Sequence, residues 1–262
     1  MSILLIDAGN TRIKWALARA ESFNLNDPWI KSGHFNHQDI SEDAFHHLAH
    51  EVSAIKKIIC SSVVNKKTIE QLKTLFKKLC PTASWHDISG NSALSHVGTK
   101  YTPPEKLGAD RRAMIVGAAE LFPNRNILII CTGTATTIDL LSSKKEHLGG
   151  LILPGMKLMS QSLQTGTAQL PDIFSQATPL LPLSLGTDTP SSIYNGIVAS
   201  QLGAIEVGKL MAHQQHLQLD MLLIDGGNAE ILANVYQGAE QMIMSSNLVL
   251  KGLLAWHHLG YI

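Results

Sequence analysis

The chain has 262 residues, and its 21 basic side chains balance 21 acidic ones to a formal net charge of zero. That length suits one large domain or two lobes, and 45% apolar with 16% charged content is ordinary for a globular protein and poor for disorder. A neutral chain lacks the basic stripe of a nucleic-acid binder, so the composition argues against nucleic-acid and membrane-surface partners and leaves enzymes and protein-binding modules open.

Cys60, Cys80 and Cys131 form no CxxC pair and make an odd count, which predicts neither a disulfide framework nor a zinc site and suits a reducing compartment. The opening MSILLIDAGN breaks its apolar run at Asp7 and lacks a basic leader. No segment approaches the ~20 apolar residues of a membrane span. A cytoplasmic location is the expectation.

In chain order, Ser2–Ile6 is a short apolar strand, Asp7–Thr11 is turn chemistry, and Arg12–Leu17 alternates as a second strand. A polar stretch follows to about His50. Lys56–Val64 reads as a strand. Lys66–Leu79 and Ala109–Leu121 have helical spacing, with a Pro-containing loop from Gly98 to Gly108 between them. The opening pattern then returns. Asn126–Ile130 is an apolar strand, Cys131–Thr137 a small-residue turn, and Ile138–Leu141 the next strand. A related unit appears at Met221–Asn228, and Ser191–His213 reads as a helix. This recurrence predicts a duplicated α/β protein with two similar lobes, divided at 1–115 and 116–262, mixed sheets flanked by helices, and a cleft between them.

Two turns carry chemistry. In Asp7-Ala8-Gly9-Asn10-Thr11-Arg12-Ile13-Lys14, Gly9 lets backbone N–H groups approach an anion. Asn10 and Thr11 add donors, Lys14 can reach a phosphate, and Asp7 can hold Mg²⁺ directly or through water. Alone, this hairpin is an ordinary turn about half the time. Thr132-Gly133-Thr134-Ala135-Thr136-Thr137 is a second Gly turn crowded with hydroxyls, although Thr also favours strands for its own reasons. Two such loops can clamp one triphosphate, with Asp225-Gly226-Gly227-Asn228 approaching the nucleoside. Neither GxxxxGK[ST] nor GxGxxG occurs. His46 and His50, at i, i+4, lack an HExxH context and read as surface histidines.

These motifs resemble the acetate and sugar kinase, heat-shock ATPase and actin superfamily. Within it, the order of Asp7–Lys14, Gly108-Ala109-Asp110-Arg111, Thr132–Thr137, Gly149–Gly155, Thr189 with Ser192, Ile193 and Gly196, and Asn247–Leu253 is similar to that of type III pantothenate kinases. The resemblance implies two actin-like (ribonuclease H-like) lobes and ATP-dependent phosphorylation of pantothenate, the first step of coenzyme A synthesis. It implies Asp110 as general base. ATP would lie on Asp7, Ala8, Gly9, Asn10, Thr11, Arg12, Ile13, Lys14 and Thr134. Pantothenate would lie on Tyr101, Gly108, Ala109, Asp110, Arg111 and Thr189, the last reaching across from the partner subunit of a homodimer with shared sites. Mg²⁺ would accompany ATP. A monovalent cation, K⁺ or NH₄⁺, is implied beside position 131, where the family usually has Asp. Here Cys131 stands instead, and a neutral thiol is a poor ligand for a hard cation. Asp225 is a second departure, from a usual Thr. Two other functions fit the same superfamily: a kinase for another small alcohol or sugar, and a non-catalytic nucleotide-binding regulator. The presence of Asp110 argues against the regulator.

Overall fold

The computed structural model describes residues 1–21, 24–41, 45, 51–88, 96–166, 170–174 and 182–261. His46 and His50 lie outside these residues. The strands and helices in chain order begin with β1 (Ser2–Ala8), β2 (Ile13–Arg19), β3 (Trp29–Phe35), β4 (Ile55–Ser62), α1 (Lys66–Leu79), β5 (Ser84–Ile88), β6 (Gly98–Thr99) and α2 (Ala109–Leu121). They continue with β7 (Ile127–Thr132), β8 (Ala135–Leu141), β9 (Glu146–Pro154), α3 (Met156–Gly166), α4 (Thr189–Gln214), β10 (Met221–Asp225), α5 (Ala229–Val235), β11 (Met242–Met244) and α6 (Leu248–His258). Among the described residues, no helix is long and apolar enough to cross a membrane.

Two compact units form. The first joins Met1–Pro123 to Leu248–Ile262, and the second is Asn124–Asn247. The sequence division at 115 and 116 differs for two physical reasons. α2 runs unbroken to Leu121, and the C-terminal helix returns to pack on α2. At their crossing the backbones touch: a Cβ at Gly252 would collide with the Ala113 carbonyl oxygen, and one at Gly117 would lie 2.9 Å from the Leu248 carbonyl oxygen. Only glycine permits that approach.

In the first unit the sheet order is β3-β2-β1-β4-β5. β1 pairs antiparallel with β2 and parallel with β4, and β4 pairs parallel with β5. Leu4, Ile6, Ile13, Trp15, Leu17, Phe35, Ile58 and Cys60 alternate onto one face, where Leu72 and Phe76 of α1 close the core. Asn65 starts that helix by accepting the Thr68 N–H at 3.0 Å. Asp7, Lys14, Ser61 and His34 therefore fall on the other face, in one row across four strands.

The second unit repeats this plan. Its strands run β9-β8-β7-β10-β11, with the same antiparallel and parallel pairings. Leu128, Ile130, Ile138, Leu140, Leu222 and Ile224 pack against α4 and α5. Cys131, Thr137, Asp139 and Asp225 take the opposite face. A helix links the last two strands of each sheet, α1 in one and α5 in the other, and a further helix follows each sheet. The duplication and the mixed α/β class expected from the sequence are both present.

Candidate active site

The first hairpin places its chemistry by strand register. Asp7 stands directly opposite Lys14 on β2 and beside Ser61 on β4. Asp7 and Lys14 are half-buried, and Asn10, Thr11 and Arg12 at the tip are exposed. The turn is fixed from outside itself: His37 Nε2 lies 2.9 Å from the Gly9 carbonyl oxygen. A histidine holding that oxygen orients the whole Gly9–Asn10 peptide plane, because C=O and N–H point in opposite directions. The Asn10 N–H is thereby aimed away from His37.

The Gly108–Arg111 motif begins α2. Gly108 is its N-cap and provides no side-chain cap. A Cβ there would come within 2.8 Å of Asp110 Oδ1, so the glycine makes room for that carboxylate. Asp110 Oδ1 accepts the Arg111 N–H at 2.7 Å, at the positive end of the helix. The buried Arg111 guanidinium lies 5.3 Å from the Tyr101 ring centre and donates to its hydroxyl at 3.1 Å. Tyr101, Gly108, Asp110 and Arg111 are thus one contiguous group. Behind it, buried Arg112 donates to the Pro104 carbonyl, and burial lowers its pKa. This tethers the loop between Tyr101 and Gly108.

In the second unit, three glycine motifs that are far apart in sequence meet at the Thr132–Thr137 turn. The Gly155 N–H donates to the Thr134 carbonyl at 3.0 Å, and the Asn228 N–H donates to the Thr132 carbonyl at 3.2 Å. A Cβ at Gly155 would collide with Gly133 and lie 2.6 Å from the Thr134 oxygen. Gly226 has φ +109°, and a Cβ there would strike Thr132. Side chains larger than hydrogen would push the turn away on both sides. The hydroxyls of Thr132, Thr136 and Thr137 are buried with no hydrogen-bond partner among the described residues, and buried hydroxyls rarely stay so without a use. Thr134 is exposed at the tip.

Cys131 pairs with Thr137 on one side and Asp225 on the other. Asp225 is 7% exposed, and its Oδ1 accepts the Gly226 N–H at 2.6 Å. The carboxylate missing at position 131 is therefore present one strand over. One step along the same face, His147 Nε2 sits 2.8 Å from Asp139 Oδ1, both fully buried.

Thr189 does not join that turn. It opens α4 beside Asp188, whose carboxyl accepts the Ser191 N–H at 2.8 Å and is held below the usual carboxylate range by that bond. Thr189 lines an open pocket of about 850 Å³ with Met159 and Leu163 of α3 and Ser192, Ile193 and Ser200 of α4.

Among the described residues, no three His, Cys, Asp or Glu side chains form a metal cage. A nucleotide-borne Mg²⁺ does not need one, since waters and phosphate oxygens fill most of its shell. Half-buried Asp7 fits such an ion, with the buried Ser61 hydroxyl beside it, which has no hydrogen-bond partner among the described residues. The Cys131 thiol does not fit K⁺ or NH₄⁺.

Sequence reasoning missed His37 and Arg112, which hold carbonyls beside these groups. Only Arg112, next to the Asp110 motif, carried any local signal.

Comparison with known proteins adds the family. Residues 3–208 match the family model described as type III pantothenate kinase. A type III pantothenate kinase of Herminiimonas arsenicoxydans is 33% identical over 96% of this chain and 95% of its own. One from Aromatoleum aromaticum is 32% identical over 96% of both chains. Among solved structures, a Campylobacter jejuni protein described as belonging to the Baf family of transcriptional activators superposes with TM-score 0.58 at 21% identity, over 95% of this chain and 94% of its own. A propionate kinase from Francisella tularensis gives 0.53 at 12%, over 97% and 98%. These two likenesses establish the fold, that of the actin-like ATPases and sugar kinases. With the family model matched over most of its length and a relative 33% identical across nearly all of it, the chain belongs to the type III pantothenate kinase family.

Proposed function

We propose that the chain transfers the γ-phosphoryl group of ATP to the primary hydroxyl of pantothenate, with Asp110 as the general base. The observation that carries this reading is the Asp110 carboxylate itself. It is oriented by the Arg111 N–H at 2.7 Å, on the residue whose guanidinium lies over the Tyr101 ring. Asp110 accepts the hydroxyl proton as the oxygen bonds to phosphorus and ADP departs. Tyr101, Gly108, Ala109 and Arg111 hold pantothenate, Arg111 through its planar fork of donors. Asp7–Lys14 and Thr134 hold the phosphates, with the ammonium of Lys14 countering charge. Mg²⁺, when bound at Asp7, neutralises phosphate charge. Asp110→Asn removes the proton acceptor while keeping the shape. Turnover falls by ~10³-fold or more while ATP still binds, as isothermal titration would show. A variant with near-normal rates contradicts the assignment.

The same reading includes a homodimer. Gly196, Ala199, Ser200, Gly203, Val207 and Leu210 form an exposed stripe along α4, with Leu210 55% and Val207 45% exposed. Small residues at one end and apolar ones at the other suit close helix packing against a second copy, which would bring Thr189 to the partner's pantothenate. Light scattering on the natural chain and on Leu210→Glu tests it: the variant shifts to monomer. The Cys131 thiol leaves activity weakly dependent on K⁺ or NH₄⁺. An absolute requirement, measured from cation-free buffer, contradicts that.

A further inference from the structure

Gln201 sits at the middle of α4 and is fully buried. Its neighbours on the inner face, Val198 and Ile205, belong to the apolar core of the second unit. Its amide nitrogen donates to the Pro154 carbonyl at 3.0 Å and to the Met159 sulfur at 3.2 Å. Its Oε1 is buried with no donor among the described residues. Leaving a buried acceptor unmet costs stability, and an apolar side chain of similar volume avoids that penalty. An apolar replacement would forfeit the bond to the Pro154 carbonyl, and burial alone does not account for a glutamine here.

The position of Pro154 does. The next residue, Gly155, donates to the Thr134 carbonyl at 3.0 Å, and its Cα packs so tightly on Gly133 and Thr134 that no Cβ fits. The Gly155 carbonyl in turn accepts the Met159 N–H at 3.0 Å. The turn, the β9–α3 junction and α4 form one short chain of contacts, with Gln201 at its far end. Met159 and Ser200 also wall the pocket that Thr189 lines. Gln201 is the only side chain on α4 with a hydrogen bond to Pro154 among the described residues.

We propose that Gln201 is a positioning residue for nucleotide binding: it holds the Pro154–Gly155 peptide so that the Thr132–Thr137 turn keeps the shape that receives ATP phosphates. This rests on the reading of that turn given above.

The test is Gln201→Leu in the full-length enzyme, with Gln201→Met as the second variant should the first fail to fold. Melting temperature and the KM values for ATP and pantothenate are measured separately, with Thr134→Ala as a parallel variant. Expected for Gln201→Leu is an ATP KM raised about tenfold, equivalent to about 1.4 kcal/mol, with an unchanged pantothenate KM, whatever the shift in melting temperature. A purely structural glutamine would instead leave the ATP KM as it was; that result overturns the proposal, as does failure of both variants to fold. If Thr134→Ala raises the ATP KM and Gln201→Leu does not, the proposal fails and the reading of the turn stands. If Thr134→Ala leaves the ATP KM unchanged, the reading of the turn fails and takes the proposal with it.

Discussion

The two hairpins share a backbone plan and differ in chemistry. In the first, the strand leaving the core carries Asp7, with Lys14 across the antiparallel pair and Ser61 on the parallel neighbour. In the second, the matching positions are Cys131, Thr137 and Asp225. One hairpin pairs a carboxylate with an ammonium. The other puts a thiol at the centre, a hydroxyl opposite, and its carboxylate on the parallel neighbour. Duplication has preserved the frame, meaning register, turn position and solvent face, while the residues on it have diverged. On the reading proposed above, the first hairpin would meet metal-bound phosphate charge and the second would bind through hydroxyls and N–H groups. Glycine packing enforces the second: Gly155 and Gly226 press on its turn. Among the described residues no such glycine clamp surrounds the first, where a side chain, His37, lies 2.9 Å from the Gly9 carbonyl oxygen.

This contrast can be broken in order of expected effect. The largest lies behind the second hairpin. His147→Leu leaves the buried Asp139 carboxylate without its imidazole, and urea denaturation should show a loss of roughly 3–5 kcal/mol. Next comes the charge in the first hairpin. Lys14→Met should lower kcat/KM for ATP by about 100-fold, close to 3 kcal/mol for a charge-assisted contact, with pantothenate binding intact. Thr137→Val in the second should lower that kcat/KM only about fivefold, because a hydroxyl contributes about 1 kcal/mol; equal effects would erase the proposed division of labour. His37→Ala should raise the ATP KM several-fold, about 1 kcal/mol for one hydrogen bond, and leave the pantothenate KM unchanged.

The smallest effect lies at the opposite end of β7 from the turn. Asp220 accepts the Asn126 N–H at 2.7 Å and an Arg125 N–H at 3.1 Å. The Asn126 bond first, then Arg125, hold its carboxyl below the usual carboxylate range. A depressed carboxyl stabilises the fold above its unfolded-state pKa, and the contribution disappears as pH falls through the lower folded-state value. Asp220→Asn should therefore lower stability by roughly 0.5 kcal/mol at neutral pH, discounted for its surface position. The difference from the natural chain should close in strong acid.

Much of the fold was legible because local pattern and tertiary role agree. Lys66–Leu79 and Ala109–Leu121 read as helices to the residue, since Asn65 and Gly108 start them cleanly. β3 was not legible. Trp29–Phe35 has only Phe35 fully buried, so it lacks the apolar run that marks an interior strand. The return of α6 to the first unit was equally hidden, because Gly252 against Ala113 is a contact between positions more than a hundred residues apart. The motif residues of the candidate site were legible as small-residue turns. Their supports were not: His37, Arg112 and Gln201 act on backbone carbonyls, and a carbonyl leaves no mark in a sequence.

The central claim is tested most directly by an ADP-release assay on the purified chain with MgATP, comparing pantothenate with a panel of small alcohols and sugars, run beside Asp110→Asn. The account expects ADP release that depends on pantothenate, with little from the panel, and its loss in the variant. ADP release driven equally by another alcohol, or surviving intact in Asp110→Asn, would contradict it.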